Sequence, residues 1–209
     1  MEHMAESTTT DKGQPNVTSV KNFLMRSLVI LPLMLLSIGC AHQSSNYPDP
    51  PTPQSLAVVF DIDGTLTPDV LRISEVRKGA VDAVRIFSEQ GYKIIYLSHR
   101  GRLFQGNLLS WFQNNGFPAG SIHVPQTAED ERDAVVYKIR ILREYQDRGW
   151  QLQFAFGDST TDFIAYREVK IPAENIFALR RENHSDCQWG ATTRCMIGWT
   201  EYLQAIGKK

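Results

Sequence analysis

Two aspartates set two residues apart, Asp61 and Asp63, come directly after an apolar run of strand-forming residues, Leu56-Ala57-Val58-Val59-Phe60. Gly64 and Thr65 come next. The run has the composition of a buried strand in a parallel sheet. Open α/β sheets bind ligands in the crevice beyond the carboxyl ends of such strands. Two carboxylates there repel each other, and a divalent cation relieves the repulsion. Magnesium suits the place because it takes oxygen ligands and substrate phosphates. A nucleophilic carboxylate beside a metal is equipment for phosphoryl transfer through an aspartyl-phosphate. An EF-hand calcium loop also begins D-x-D-G, but it needs further acidic ligands and a glutamate at position twelve. Counted from Asp61, positions five and twelve are Thr65 and Arg72. That reading fails. An acidic surface turn stays open on this segment alone.

Three further features fall where a strand ends or a helix passes. Ile94-Ile95-Tyr96-Leu97 is followed by Ser98, His99 and Arg100. A hydroxyl there can bond a phosphate oxygen, and the planar guanidinium of Arg100 can clamp one. Serine is also a common turn or helix-start residue. Lys138 lies among Val135, Ile139 and Leu142, where a lysine snorkelling from an amphipathic helix is the plainer account. Gly157-Asp158-Ser159-Thr160-Thr161-Asp162 brings two more carboxylates. Asp158 is placed as a metal ligand. Asp162 has a rival role, since Ser159-x-x-Asp162 has capping-box spacing with an acid in place of Glu or Gln.

These residues need a scaffold that turns distant segments towards one edge. Strands are expected at 56–60, 93–97, 121–124, 151–156 and 175–179. Helices are expected at 80–90, 103–115, 130–148, 161–169 and 199–206, several closed by a glycine. Alternation of this kind predicts an α/β three-layer sandwich with a mostly parallel five-stranded sheet. The intervals from Asp61 to Ser98 and from Ser98 to Lys138 are already filled, so no large cap domain fits between them. Residues 67–76 have room for a small flap, and an uncapped site suits a bulky substrate.

In this order, DxDGT, a strand-end serine, a helical lysine and GDxxxD resemble the four motifs of the haloacid dehalogenase (HAD) superfamily of phosphatases. The resemblance implies Asp61 as the nucleophile. It implies Asp63 as the acid that protonates the leaving oxygen and then activates water, with its backbone carbonyl offered to Mg2+. Gly64, Thr65, Ser98 and Arg100 fall on the phosphate-binding side. Lys138 would steady Asp61, and Asp158 would complete the metal's protein ligands with Asp162 in support. Arg77-Lys78-Gly79-Ala80-Val81-Asp82, Gly91 to Tyr96, Gly116-Phe117-Pro118-Ala119-Gly120, Ala165-Tyr166-Arg167 and Ile171 to Phe177 resemble more closely the C-terminal domain shared by lipins and the Nir/RdgB phosphatidylinositol-transfer proteins. Lipins are magnesium-dependent phosphatidate phosphatases. The similar domain of the transfer proteins resembles a phosphatidate-binding module with impaired catalytic acids. This chain keeps Asp61 and Asp63, and has Asp158 where lipins typically carry Asn. The expectation is a magnesium-dependent phosphomonoester hydrolase, with phosphatidate as the first substrate to try. The alternatives are an idle phosphatidate-binding module and a phosphatase of soluble nucleotide or sugar phosphates.

The remaining sequence bears on location. Acidic and basic residues nearly balance, 23 against 22, and no basic block suits nucleic acid. Lys21 and Arg26 precede the apolar stretch Leu28 to Ile38, which is too short to span a bilayer but matches the core of a signal peptide. Ser37-Ile38-Gly39-Cys40 resembles a bacterial lipobox, which implies cleavage before a lipid-bearing Cys40. Met25 is an alternative start, and an uncleaved apolar anchor is the competing account. Residues 1–39 are therefore assigned as leader and signal, 40–55 as a Pro/Ser-rich tether and 56–209 as the phosphatase domain. The resulting expectation is export and lipid anchoring on the periplasmic side of a bacterial membrane, the outer membrane first. An oxidising compartment favours a local disulfide between Cys187 and Cys195; two buried thiols are the alternative.

Overall fold

The computed structural model describes residues 47–52, 54–190 and 194–206. The leader, Cys40 and the first half of the tether lie outside them. Strands β1 (Leu56–Phe60), β2 (Lys93–Leu97), β3 (Ser121–His123), β4 (Gln151–Gly157), β5 (Ile176–Leu179) and β6 (Arg194–Met196) form one sheet in the order β3-β2-β1-β4-β5-β6. Every pairing is parallel. The sheet has six strands, not the five expected. The sixth spans three residues in the cysteine-bearing tail, too short for any period-two pattern to register. It is held beside β5 by a Cys187–Cys195 disulfide, with the Cα atoms 5.7 Å apart.

Alternation along β1 sends Val58 and Phe60 to one face and Ala57 and Val59 to the other. On the first face α1 (Ala80–Glu89), α2 (Leu108–Asn114) and α5 (Trp199–Ile206) close an aromatic-rich core. Phe60 stacks on Phe156 at 5.1 Å, and both rings meet fully buried Trp199. On the second face α3 (Ala134–Asp147) and α4 (Thr160–Glu168) bury Tyr137, Ile141, Tyr145, Phe163 and Tyr166. Rings of this size contribute roughly 1.5–3 kcal/mol each on burial, so the two faces clamp β1 and β4 rigidly between them.

Helix ends depart from expectation for local reasons. The second helix starts at Leu108 rather than Leu103: a 3-10 turn at Arg102–Phe104 comes first, and Gly106 separates the two. The long helix starts at Ala134 because Asp133 caps it, accepting from the amides of Val135 and Val136 at 2.8 and 3.0 Å. Asp130, the expected start, instead accepts from the amides of Gln126 and Thr127 in the preceding turn. The end of the tether is packed on the domain. The Tyr47 ring stacks on His123 at 4.8 Å, and Trp150 Nε1 donates to the Pro48 carbonyl at 2.8 Å. Among the described residues, no helix is long and apolar enough to cross a membrane.

Candidate active site

Chain order runs outwards from β1 through β2 to β3, then returns to β1's other side at β4. The point between β1 and β4 is thus a topological switch, where the two neighbouring crossovers leave a crevice at the carboxyl ends. Asp61 and Asp158 stand immediately beyond these two strands, and the Asp61 amide donates to the Phe156 carbonyl at 2.9 Å. A cavity of about 430 Å³ opens there, lined among others by Asp61, Asp63, Ser98, Arg100, Lys138 and Asp158.

Asp61 is buried and held from two sides. Lys138 Nζ donates to Oδ1 at 2.8 Å and Thr65 Oγ1 to Oδ2 at 3.1 Å. Lys138 does not snorkel. It sits on the buried face of α3, 2 % exposed, and its ammonium also pairs with Asp162. Burial lowers the affinity of that ammonium for its proton, but Asp162 and Asp61 outweigh burial and hold it above the ordinary value. Burial, then Asp162, push the Asp61 carboxyl well above the ordinary range, against the pull of Lys138. Burial and Asp162 likewise lift Asp158 to about 6 despite the pairing with Arg181. Four carboxylates crowd one crevice with one buried lysine among them, and the surplus is negative.

Asp162 takes the capping role weighed for it and adds one that was not, an ion pair with Lys138. One carboxylate oxygen takes the Lys138 ammonium, and the other accepts from the Ser159 amide at 3.0 Å in a capping box at the start of α4. It stands behind the cavity rather than in its lining. Neither Gly64 nor Thr65 lines the cavity either. The Thr65 hydroxyl is spent on Asp61, so its part is to orient the carboxylate, not to meet substrate. Gly64 has a steric reason to be glycine: its φ is +84°, and a Cβ would lie 2.2 Å from Asp158 Oδ2. Gly157 is similar, since a Cβ there would lie 2.6 Å from that of Asp162.

Asp63 accepts from Ser98 Oγ at 2.7 Å, from Arg100 Nε at 3.1 Å and from Arg100 Nη2 at 2.5 Å. Expectation had put Ser98 and Arg100 on a phosphate; in the structure both turn to the Asp63 carboxylate. Two residues that carry weight had no motif to announce them. Arg181, two residues past β5, pairs with Asp158 at the cavity wall. Buried Arg77 donates to the carbonyls of Gly64, Arg180 and Ile197 at 2.8, 2.5 and 2.8 Å, tying the loop after β1 to the ends of β5 and β6. The one signal for Arg181 is its place just past β5, at the same sheet edge as Asp61 and Asp158. Nothing local announces Arg77.

Asp61, Asp158 and Asp162 each offer a carboxylate oxygen within 4.8 Å of the others. Magnesium ligands lie about 2.1 Å from the ion, so opposed ligands stand about 4.2 Å apart. The spacing and the hard oxygen donors suit Mg2+, but Lys138 and Ser159 already occupy both oxygens of Asp162, so Asp61 and Asp158 are the two of this set that face the cavity.

A family model, the LNS2 domain of PITM 1-3, matches residues 58–180. Human membrane-associated phosphatidylinositol transfer protein 3 is 31% identical over 139 residues, 63% of this chain and 14% of that protein. Protein retinal degeneration B of Drosophila melanogaster is 33% identical over 129 residues, 60% of this chain and 10% of that protein. The chain thus corresponds to a small part of the transfer proteins' length. D,D-heptose bisphosphate phosphatase from B. bronchiseptica, solved with magnesium and phosphate, shares the fold at a TM-score of 0.53 and 13% identity, covering 75% of this chain and 100% of that one. A chain of the Pnkp1/Rnl/Hen1 RNA repair complex does so at 0.52 and 22%, covering 68% and 48%. Because the family match takes in more than half of the chain and every motif at the sheet edge, this protein belongs to the LNS2 domain family, on an HAD-like α/β fold.

Proposed function

We propose that the domain is a magnesium-dependent phosphomonoester hydrolase whose substrate is a lipid phosphate of the phosphatidate kind. The observation that carries the reading is the buried Asp61–Lys138 pair, 2.8 Å apart, at the floor of a cavity that also holds Asp63, Ser98 and Asp158. Asp61 Oδ2 attacks phosphorus as the bond from phosphorus to the leaving oxygen breaks, and Asp63 gives its proton to that oxygen. Water then attacks the phosphorylated Asp61, Asp63 takes the water's proton, and phosphate leaves. Lys138 stays on Asp61 and offsets charge on the equatorial oxygens. Asp61, Asp158 and the Asp63 carbonyl would hold Mg2+, which supplies charge neutralisation at the phosphoryl group. Asp63 can donate only once it has gained a proton and Arg100 has let go. The substrate's phosphate is the partner able to draw the guanidinium away.

A second reading has its own observation. Arg100 grips Asp63 in a two-point ion pair, and the matched relatives are named as transfer proteins. An idle phosphatidate-binding module would keep this arrangement permanently. Phosphate release from phosphatidate in mixed micelles and from p-nitrophenyl phosphate decides between them, with magnesium and with chelator. Turnover of either ester with magnesium, lost with chelator, is expected. Stoichiometric binding of phosphatidate without release of phosphate would install the binder.

The metal also has a signature without turnover. Folding raises Asp158 from 3.8 to about 6, so the folded chain holds its proton the more tightly. In the metal-free protein, stability therefore falls as pH rises through this window. A bound cation relieves the same repulsion. Magnesium should raise the melting temperature more at pH 7 than at pH 5, and an equal rise at both would contradict the assignment of Asp158.

The signal-like residues 26–40 of the sequence and the Cys187–Cys195 bridge are what support a reading of export and lipidation at Cys40, on the periplasmic side of a bacterial membrane. In this reading the tether keeps an open site within reach of membrane lipid.

A further inference from the structure

We propose that the mouth of the cavity docks on a phospholipid bilayer through an apolar collar made by two loops. Residues 67–76 come after β1 and contribute Val70 and Leu71; residues 100–107 come after β2 and contribute Leu103 and Phe104. Leu71 is 87% and Leu103 94% exposed, and Phe104 is 63% exposed. A single exposed leucine needs no explanation, but these are gathered. Val70, Leu71 and Phe104 line the catalytic cavity, and Leu103 lines a neighbouring cavity of about 350 Å³ that shares Ile73, Arg100 and Phe104 with it. An apolar patch set around a polar hole is a mark of an interaction site, and this hole is lined by Arg100, Lys138 and Arg181 beside the aspartates that would hold Mg2+, so the two chemistries match a phosphate head on an apolar body.

A bilayer is the occupant that fits. The cavity lies at the small end of ligand pockets, so it takes a phosphate head but not two acyl chains. The chains must stay outside, where the collar is. Leu71, Leu103 and Phe104 stand mostly in solvent, Leu103 and Phe104 on the 3-10 turn, as suits groups entering a lipid surface. Each collar leucine also has an arginine as chain neighbour, Leu71-Arg72 and Arg102-Leu103. Both arginines rest in partly exposed pairs, Arg72 with Glu182 and Arg102 with Glu131. Such pairs contribute little and can be exchanged for lipid phosphates at the headgroup level, while the leucines reach the acyl boundary about 5–10 Å deep.

The inference deepens the lipid-phosphate reading and rests on it for the head that fills the cavity. Its test separates the two. In the full chain with Cys40→Ser, Leu103→Cys carries an environment-sensitive fluorophore; Cys187 and Cys195 are bridged and do not label. A parallel chain carries the label at Gln90→Cys, beside the amino-terminal edge of β2 and opposite the site. With phosphatidylcholine vesicles containing phosphatidate, position 103 should shift to the blue and be quenched by acyl-brominated lipid, while position 90 should not respond. Leu71→Ser with Leu103→Ser should slow release of phosphate from vesicle phosphatidate by about tenfold or more. Insertion at position 103 without any phosphate release leaves docking standing and removes the hydrolase. Hydrolysis of p-nitrophenyl phosphate with no response at position 103 overturns the collar and leaves the hydrolase standing. An equal response at positions 103 and 90 overturns the collar too, since it marks adsorption without orientation.

Discussion

Asp61→Asn should reduce the turnover of any phosphate ester by about 10⁴-fold or more, the scale seen when a covalent nucleophile is removed. The substitution fits the site. An amide oxygen can still accept from Lys138, and the amide nitrogen can donate to Thr65 Oγ1, which now donates to Asp61. The variant also removes a buried negative charge from a crevice where Asp158, Asp162 and Asp63 all disfavour it. Thermal stability should therefore hold or rise while activity vanishes, and phosphatidate should still bind. That split is what a structural role cannot imitate. Calorimetry on the variant beside a phosphate-release assay reads both quantities. Activity within about tenfold of wild type would remove the aspartyl-phosphate route altogether.

Much of this arrangement was legible because parallel strands all point their carboxyl ends to one edge. Asp61, Ser98 and Asp158 each come after an apolar run, so topology alone brings them together. Lys138 was harder. On a helix, a lysine among Val135, Ile139 and Leu142 reads equally as a snorkelling side chain, and only the packing of α3 against the sheet decides that its ammonium points inwards. Contacts made across the chain left no local trace. The three carbonyls that Arg77 gathers come from segments far apart in sequence, and Arg181 meets Asp158 only because β5 pairs with β4. The sixth strand and the 3-10 turn at Arg102–Phe104 are shorter than the windows in which periodicity can be read. That turn replaced an expected first helical turn, and Leu103 within it is exposed beside the neighbouring cavity.

Lys138→Met should cost the fold about 3–5 kcal/mol, the usual penalty for taking one partner from a buried ion pair. For a chain of this size that is a fall in melting temperature of roughly 6–20 °C. The reason is arithmetic of charge. Lys138 is the shared partner of Asp61 and Asp162, both all but fully buried. Without it two carboxylates face each other with no cation between them, and one must take a proton to stay folded. The loss should then shrink at low pH, because protonation discharges the pair at lower cost. Adding Asp162→Asn removes one of the two charges and leaves an amide oxygen to accept from the Ser159 amide, as the carboxylate does at 3.0 Å. Most of the stability should return in the double variant. Activity should not, because nothing is left to orient Asp61 or to offset charge at phosphorus. Urea unfolding of the single and double variants at pH 5 and pH 8, beside a phosphate-release assay, measures the whole set. A single variant within about 1 kcal/mol of wild type would mean that Asp61 and Asp162 are already discharged by something other than this lysine, and the electrostatic account of the crevice would have to be rebuilt from that other partner.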